Sequence, residues 1–267
     1  NVSARPRFLP TEEAFISLPT EALIGSQVTF TVTFDNNGDE PGYGPYIDVI
    51  LPAIGTDGSD GLTFQSASYL GAALPDAPVV QVFPAPTGCV DHRWAIDNSG
   101  APVQVCGTIG DQLVSLMLPF GSFFPLQPPA PITILANLSN FADLGTPLTV
   151  EANAGFIYGR TPINDYATDP SRIGASDSAT ITPTLFTLTK EYIGPEDETA
   201  TGPNYPRQYT ITVDIANGQP INGFCITDLL PNNMQYLQLD SSTPGGSVAT
   251  AEPVLGAAQN PPDNDLE

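Results

Sequence analysis

The residues best suited to chemistry in this sequence are carboxylates set on glycine-rich turns. Asp35-Asn36-Asn37-Gly38-Asp39-Glu40 groups Asp35, Asp39 and Glu40, and Asp57-Gly58-Ser59-Asp60-Gly61 groups Asp57 and Asp60 around a hydroxyl. Hard divalent cations take about six to eight oxygens from carboxylates, carbonyls and water. Both turns are therefore candidate calcium sites, and Asp165, Asp169 and Asp177 form a third acidic group. Neither turn has the ligand spacing of an EF-hand loop. Asp, Asn and Gly also build ordinary solvated turns.

Other reactive side chains are scarce. The chain has one histidine, His92, and three cysteines. A nucleophilic relay would have to use His92, yet no serine sits in a Gly-x-Ser-x-Gly elbow. A zinc centre needs three or four His or Cys ligands, which one histidine and two paired cysteines cannot supply. We expect no catalysis. Cys89 and Cys106 flank two strand-like runs around Asp97-Asn98-Ser99-Gly100, a hairpin that would set their sulfurs opposite each other. A bridge there would stabilise by about 3 kcal/mol in the loop-entropy model and fits an exported chain. Cys225 is left over, and we expect it in a core. His92 and Trp94 alternate on the first arm of the hairpin, a possible surface for glycans. Lys190, the single lysine, could reach Asp228 in an isopeptide bond or in a plain ion pair.

The bulk composition narrows the partners. With 29 acidic and 7 basic residues, the formal charge of the 267-residue chain is −22. Nucleic-acid binding needs cationic groups that displace counterions, and docking on anionic lipid needs a basic patch. Both are excluded as expectations. An acidic surface suits divalent cations or simple solubility. No apolar run approaches the roughly 18 residues of a membrane span. No basic-then-apolar signal opens the chain, so Asn1 reads as the start of a processed, secreted or cell-surface protein.

The elements that must position these residues are short strands. The 29 Pro and 24 Gly interrupt any long helix. Residues 28–34 alternate strictly, with Val28, Phe30, Val32 and Phe34 on one face. Ile47-Asp48-Val49-Ile50-Leu51 follows as a strand that Pro52 ends, because proline has no N–H to donate. Further strands are expected at 62–68, 113–118, 132–138, 148–154, 156–158 and 178–183. Regularly spaced short strands predict an all-β, immunoglobulin-like sandwich. Residues 1–12 read as an extended leader and 13–184 as the first domain. The stretch 69–112 reads as an insertion. With the phenylalanine-rich turn that carries Phe120, Phe123 and Phe124, the decorating region runs to about 125. A second, incomplete sandwich occupies 185–267.

That second unit repeats the first in outline. Tyr209-Thr210-Ile211-Thr212-Val213, then Asn217-Gly218, then Asp228-Leu229-Leu230-Pro231 parallels the order of 30–52. Residues 186–240 resemble the Asn-x-Gly … Asp-x-Leu-Pro pattern of a β-sandwich repeat of bacterial and archaeal cell-surface proteins. Residues 15–68 resemble it more loosely, with Val49 where the pattern has Asp. The resemblance implies tandem sandwiches in an adhesin-like or stalk-like protein whose partners are neighbouring copies or domains of the same array. It implies no catalytic residues. A carbohydrate-binding module using residues 69–125 is the alternative.

Overall fold

A computed structural model describes residues 9–159, 166–167, 169–194, 206–230, 236–243 and 245–248. Every regular element in them is a strand. The chain opens with β1 (Glu12–Ser17), β2 (Glu21–Leu23) and β3 (Gln27–Asn36). The short β4 (Gly42–Tyr43) precedes β5 (Pro45–Leu51) and β6 (Leu62–Tyr69). Next come β7 (Ala72–Ala73), β8 (Val79–Val82) and the pair β9 (Cys89–Ile96) and β10 (Pro102–Cys106). They are followed by β11 (Gln112–Met117), β12 (Ser122–Phe123), β13 (Ala130–Leu138) and β14 (Leu148–Phe156). Finally β15 (Arg172–Ile173), β16 (Asp177–Thr184), β17 (Phe186–Gly194) and β18 (Gln208–Ile215) complete the described set.

Two sheets make the sandwich. One has the order β1-β3-β13-β6-β7, and the other β2-β16-β14-β5-β11-β8 with β15 beside β14. Alternation decides which side chains meet between them. Val28, Phe30, Val32 and Phe34 of β3 point inward with Ile132, Ile134, Ala136 and Leu138 of β13. The facing sheet supplies Ile47, Val49 and Leu51, Val114 and Leu116, and Val150, Ala152 and Ala154 to the same cluster. Phe34 is fully buried and meets Phe123 and Phe156 edge-on, at centroid distances of 5.0 and 5.4 Å. Each such pair adds about 0.5–1.5 kcal/mol beyond its buried area.

The larger sheet is covered on its outer face as well. β5 and β11 are buried on both sides, so Tyr46, Asp48, Leu113 and Ser115 are enclosed along with the inward residues. The cover over Tyr46 is the β9–β10 hairpin, through Trp94, Ala95 and Val103. At that point β14 carries Gly155 opposite Tyr46, where a Cβ would stand 2.1 Å from the phenol ring.

Several expectations need correction. Within 69–112 only the β9–β10 hairpin forms a sheet of its own, because β7 and β8 are strands of the two main sheets, while β11 is the sandwich strand expected at 113–118. The leader region supplies Glu12 to β1, and Pro10 is buried. By compactness the chain divides into residues 1–188 with 213–219, and residues 189–212 with 220–267. In the second unit the described strand residues are 189–194 of β17 and 208–212 of β18. Residues 216–230, whose Asp228-Leu229-Leu230 parallels the strand that Pro52 ends, are irregular, and Ile226 and Leu229 are exposed. Cys225 is likewise an exposed free thiol and not a core residue. No described sheet covers that segment, and an uncovered apolar run gains nothing from strand alternation.

Candidate functional site

The polar residues come together in three places, and the most enclosed was only partly legible in the sequence. Asp48 and Ser115 are register partners on β5 and β11, and both point to the outer face under the hairpin. The Ser115 hydroxyl donates to Asp48 Oδ1 at 2.6 Å. His92 Nε2 lies 3.1 Å from Oδ1 and 3.0 Å from Oδ2. All three residues are buried. On the other side of the ring, Nδ1 accepts the backbone N–H groups of Trp94 at 3.1 Å and Ala95 at 2.7 Å. The imidazole therefore carries its proton on Nε2 and donates it to Asp48.

This arrangement has Ser, Asp and His, but not the order of a catalytic relay. In a relay the histidine takes the serine proton and the aspartate orients the histidine. Here aspartate is the hub and serine donates directly to it. The protonated Nε2 is likewise not free to ligate a metal. The ring does structural work. β9 shifts register against β10 between Pro102 and Gln104, and such a bulge leaves backbone donors without ladder partners. His92 accepts two of them and ties the hairpin to β5. Tyr46, packed 4.8 Å from the imidazole centroid, has its hydroxyl pushed well above its ordinary range by burial, then by the charges of Asp48 and Glu12.

Two expectations meet here. Cys89 and Cys106 face each other across the hairpin and are joined by a disulfide, as the spacing predicts. His92, in contrast, is no surface residue, and Trp94 is half-buried against Tyr46. The paired aromatics thus form an interior seam instead of an exposed platform for glycans. Phe123 is also buried, whereas Phe124 is exposed.

The two acidic turns behave differently. In 35–40 the hub is Asn36, whose Oδ1 accepts from Thr11 and Gly38 and whose amide donates to the Glu40 and Phe123 carbonyls. Asp35 accepts the next backbone N–H at 2.7 Å, while Asp39 and Glu40 are exposed. In 55–61 the hub is a carboxylate. Asp60 is 2% exposed, and its Oδ1 accepts the Thr56 N–H at 3.0 Å. Asp57, at the surface, sets its carboxyl against that of Asp60. That contact, together with the charges of Asp60 and Asp143, holds the Asp57 carboxyl above the usual carboxylate range. Among the described residues no three His, Cys, Asp or Glu side chains form a ready metal-binding group. Of the third acidic group, Asp177 accepts the Ile16 and Ser178 N–H groups, Asp169 is buried, and Asp165 lies outside the described residues.

In the second unit, Lys190 Nζ sits 2.8 Å from both oxygens of Asp228, with the two side chains about a third exposed. The structure brings these residues together as a solvent-facing ion pair. An isopeptide bond would need a dry pocket and an acid to shuttle protons.

No protein-family model matches the chain, and no curated protein matches it. Solved structures with partial likeness include a cohesin module from a Clostridium perfringens family 33 glycoside hydrolase, at 8% identity and TM-score 0.36, covering 67% of this chain and 98% of that one. The sixth cohesin of Acetivibrio cellulolyticus scaffoldin B, solved with a dockerin, has 13% identity and TM-score 0.34, covering 65% and 99%. The full-length major pilin SpaD of Corynebacterium diphtheriae has 13% identity and TM-score 0.33, covering 71% and 38%. The sandwich itself is read from the sheet order above, and function is not read from these superpositions.

Proposed function

We propose that this chain is a structural and adhesive segment of an extracellular surface protein, built from tandem β-modules and stiffened by calcium. The observation that carries the reading is the disulfide Cys89–Cys106 at the base of the hairpin that covers β5. Such bridges persist in oxidising compartments. Connectivity supports it too. β16 ends at Thr184 and β17 begins at Phe186, so one module's last strand runs directly into the next strand of the chain. The Asn217-Gly218 and Asp228-x-Leu230-Pro231 positions add the resemblance to surface repeats. The buried Ser-Asp-His cluster offers no exposed nucleophile, which favours a mechanical role over a chemical one.

The test is protease treatment of intact source cells with parallel thiol labelling. Fragments of this chain should be released without lysis, and Cys89 and Cys106 should resist alkylation until reduced. Recovery only from lysed cytosol, with both thiols free, would sink the proposal.

A further inference from the structure

The loop between β5 and β6 is folded around a carboxylate that the protein leaves half unpartnered. Asp60 Oδ1 accepts from Thr56, but Oδ2 is buried with no donor. The chain wraps closely: the Gly58 and Asp60 N–H groups return to the Ile54 carbonyl, and Gly61 N–H to that of Ala53. Gly55, at φ 63°, passes so near that a Cβ would stand 1.8 Å from Asp60 Oδ1. Asp57 sets a second carboxyl against the first. The loop between β13 and β14 joins from the side, where Ser139 N–H donates to the Gly61 carbonyl at 3.0 Å, and its Asp143 adds a third negative charge. Among the described residues no cationic side chain is paired with any of these acids.

A buried carboxylate oxygen without a donor is costly, and a second carboxylate against it adds repulsion. A shared proton would relieve one unit of that charge; a divalent cation relieves both and answers Asp143 as well. The ligands on offer are all oxygens, which suit a hard cation over zinc or copper. A loop that adds carbonyls, hydroxyls and water to two carboxylates suits the adaptable shell of calcium over the strict octahedron of magnesium.

We propose that Asp60 Oδ2 and the Asp57 carboxylate bind a calcium ion, with Asp143 completing its charge, and that the ion clasps the β5–β6 loop to the β13–β14 loop. The clasp sits where β6 and β13 begin to pair, at Leu62 opposite Leu138. It deepens the calcium part of the proposed function and does not depend on where the protein resides. The site stands on the unpartnered, buried oxygen, a feature that the more densely acidic turn at 35–40 lacks.

The experiment is calorimetric titration of the full chain with calcium chloride after chelator treatment, in moderate salt that screens diffuse attraction to the acidic surface. A thermal melt accompanies it. Wild type should show one saturable binding event and a melting temperature that climbs with calcium, as mass action requires. Asp60→Asn and Asp57→Asn should each weaken binding at least tenfold, Asp143→Asn severalfold, and the double change Asp39→Asn with Glu40→Gln not at all. Asp57 lies at the surface, so its variant keeps the test decisive even if Asp60→Asn folds poorly. The proposal is overturned by an absent saturable event in wild type, by undiminished binding in Asp57→Asn, or by loss of binding in the Asp39/Glu40 variant. A wild type without calcium response whose Asp60→Asn form melts higher would identify a shared proton and also overturn it. An absent calcium response would also remove calcium from the proposed function, but none of these outcomes bears on surface exposure in cells, which fails or stands on the protease and thiol test alone.

Discussion

Asp48 and Asp60 are both carboxylates enclosed by the sandwich, each 2% exposed. Asp48 Oδ1 faces a serine hydroxyl and an imidazole N–H, supplied by a neighbouring strand and by the covering hairpin, and its Oδ2, without a hydrogen bond of its own, still lies 3.0 Å from His92 Nε2. Asp60 faces one backbone N–H and another carboxyl. Burial is the same; the donors differ. The difference teaches that enclosure of charge does not by itself mark a functional residue. A carboxylate whose donors come from the fold belongs to the architecture, and one whose donors run out is where an external ion has a reason to bind.

Substitutions that separate the two cases should rank by how many donors they orphan. Asp48→Ala strands the Ser115 hydroxyl and the His92 N–H, and we expect a loss of about 3–5 kcal/mol, measured by urea unfolding. A loss below about 1 kcal/mol, the scale of a surface pair, would show that Asp48 is not the hub described. Replacing Cys89 and Cys106 together by serine opens a loop of sequence separation 17, at a cost of about 3 kcal/mol. Hydrogen exchange should show the Trp94 and Ala95 amides losing protection first, while β3 and β13 hold; uniform loss would mean that the hairpin is no separate cover.

Asp60→Asn reverses the sign. In chelator it should raise stability by on the order of 1 kcal/mol, because an amide can donate toward Asp57; a lower urea midpoint would contradict the donor deficit. The smallest effect near neutrality is Tyr46→Phe, which removes one long hydrogen bond, 3.3 Å, to the Arg172 carbonyl. Its signature lies in base. The buried phenol has a raised pKa, so its contribution is intact below the ordinary value of 10.0 and is lost as the pH rises above it. There the unfolded tyrosine ionises while the folded one stays neutral. Wild type should therefore lose stability more steeply than Tyr46→Phe above that pH, and parallel curves would refute the assignment.

Much of the frame is local and was legible. The alternation of 28–34, the stop at Pro52 and the Asn-Ser-Gly hairpin each depend on residues a few positions apart. The hairpin turn shows why. Asp97 Oδ1 accepts from the Ser99 hydroxyl and from the Ser99 and Ala101 N–H groups, and these bonds, that of the hydroxyl first, lower its pKa. The disulfide followed from the same local register. At 35–40 the residue types did not single out Asn36, whose side chain takes the hub position among partners as distant as Thr11 and Phe123. One signal went unused. Ile47-Asp48-Val49-Ile50-Leu51 and Leu113-Val114-Ser115-Leu116-Met117 are nearly unbroken apolar runs with a single polar residue each. That is the mark of strands buried on both faces, and it implies a cover.

By itself, then, the sequence determined the strands, their inward faces, the hairpin and its covalent lock, because period-two patterning and turn chemistry act over short spans. Only the tertiary structure decided which polar residues meet. His92 reaches Asp48 across 44 positions and Ser115 reaches it across 67. Asp143 comes within electrostatic reach of Asp57 only because β13 pairs with β6. Strand order sets those neighbours, and strand order comes from how the whole core closes, which no single stretch encodes.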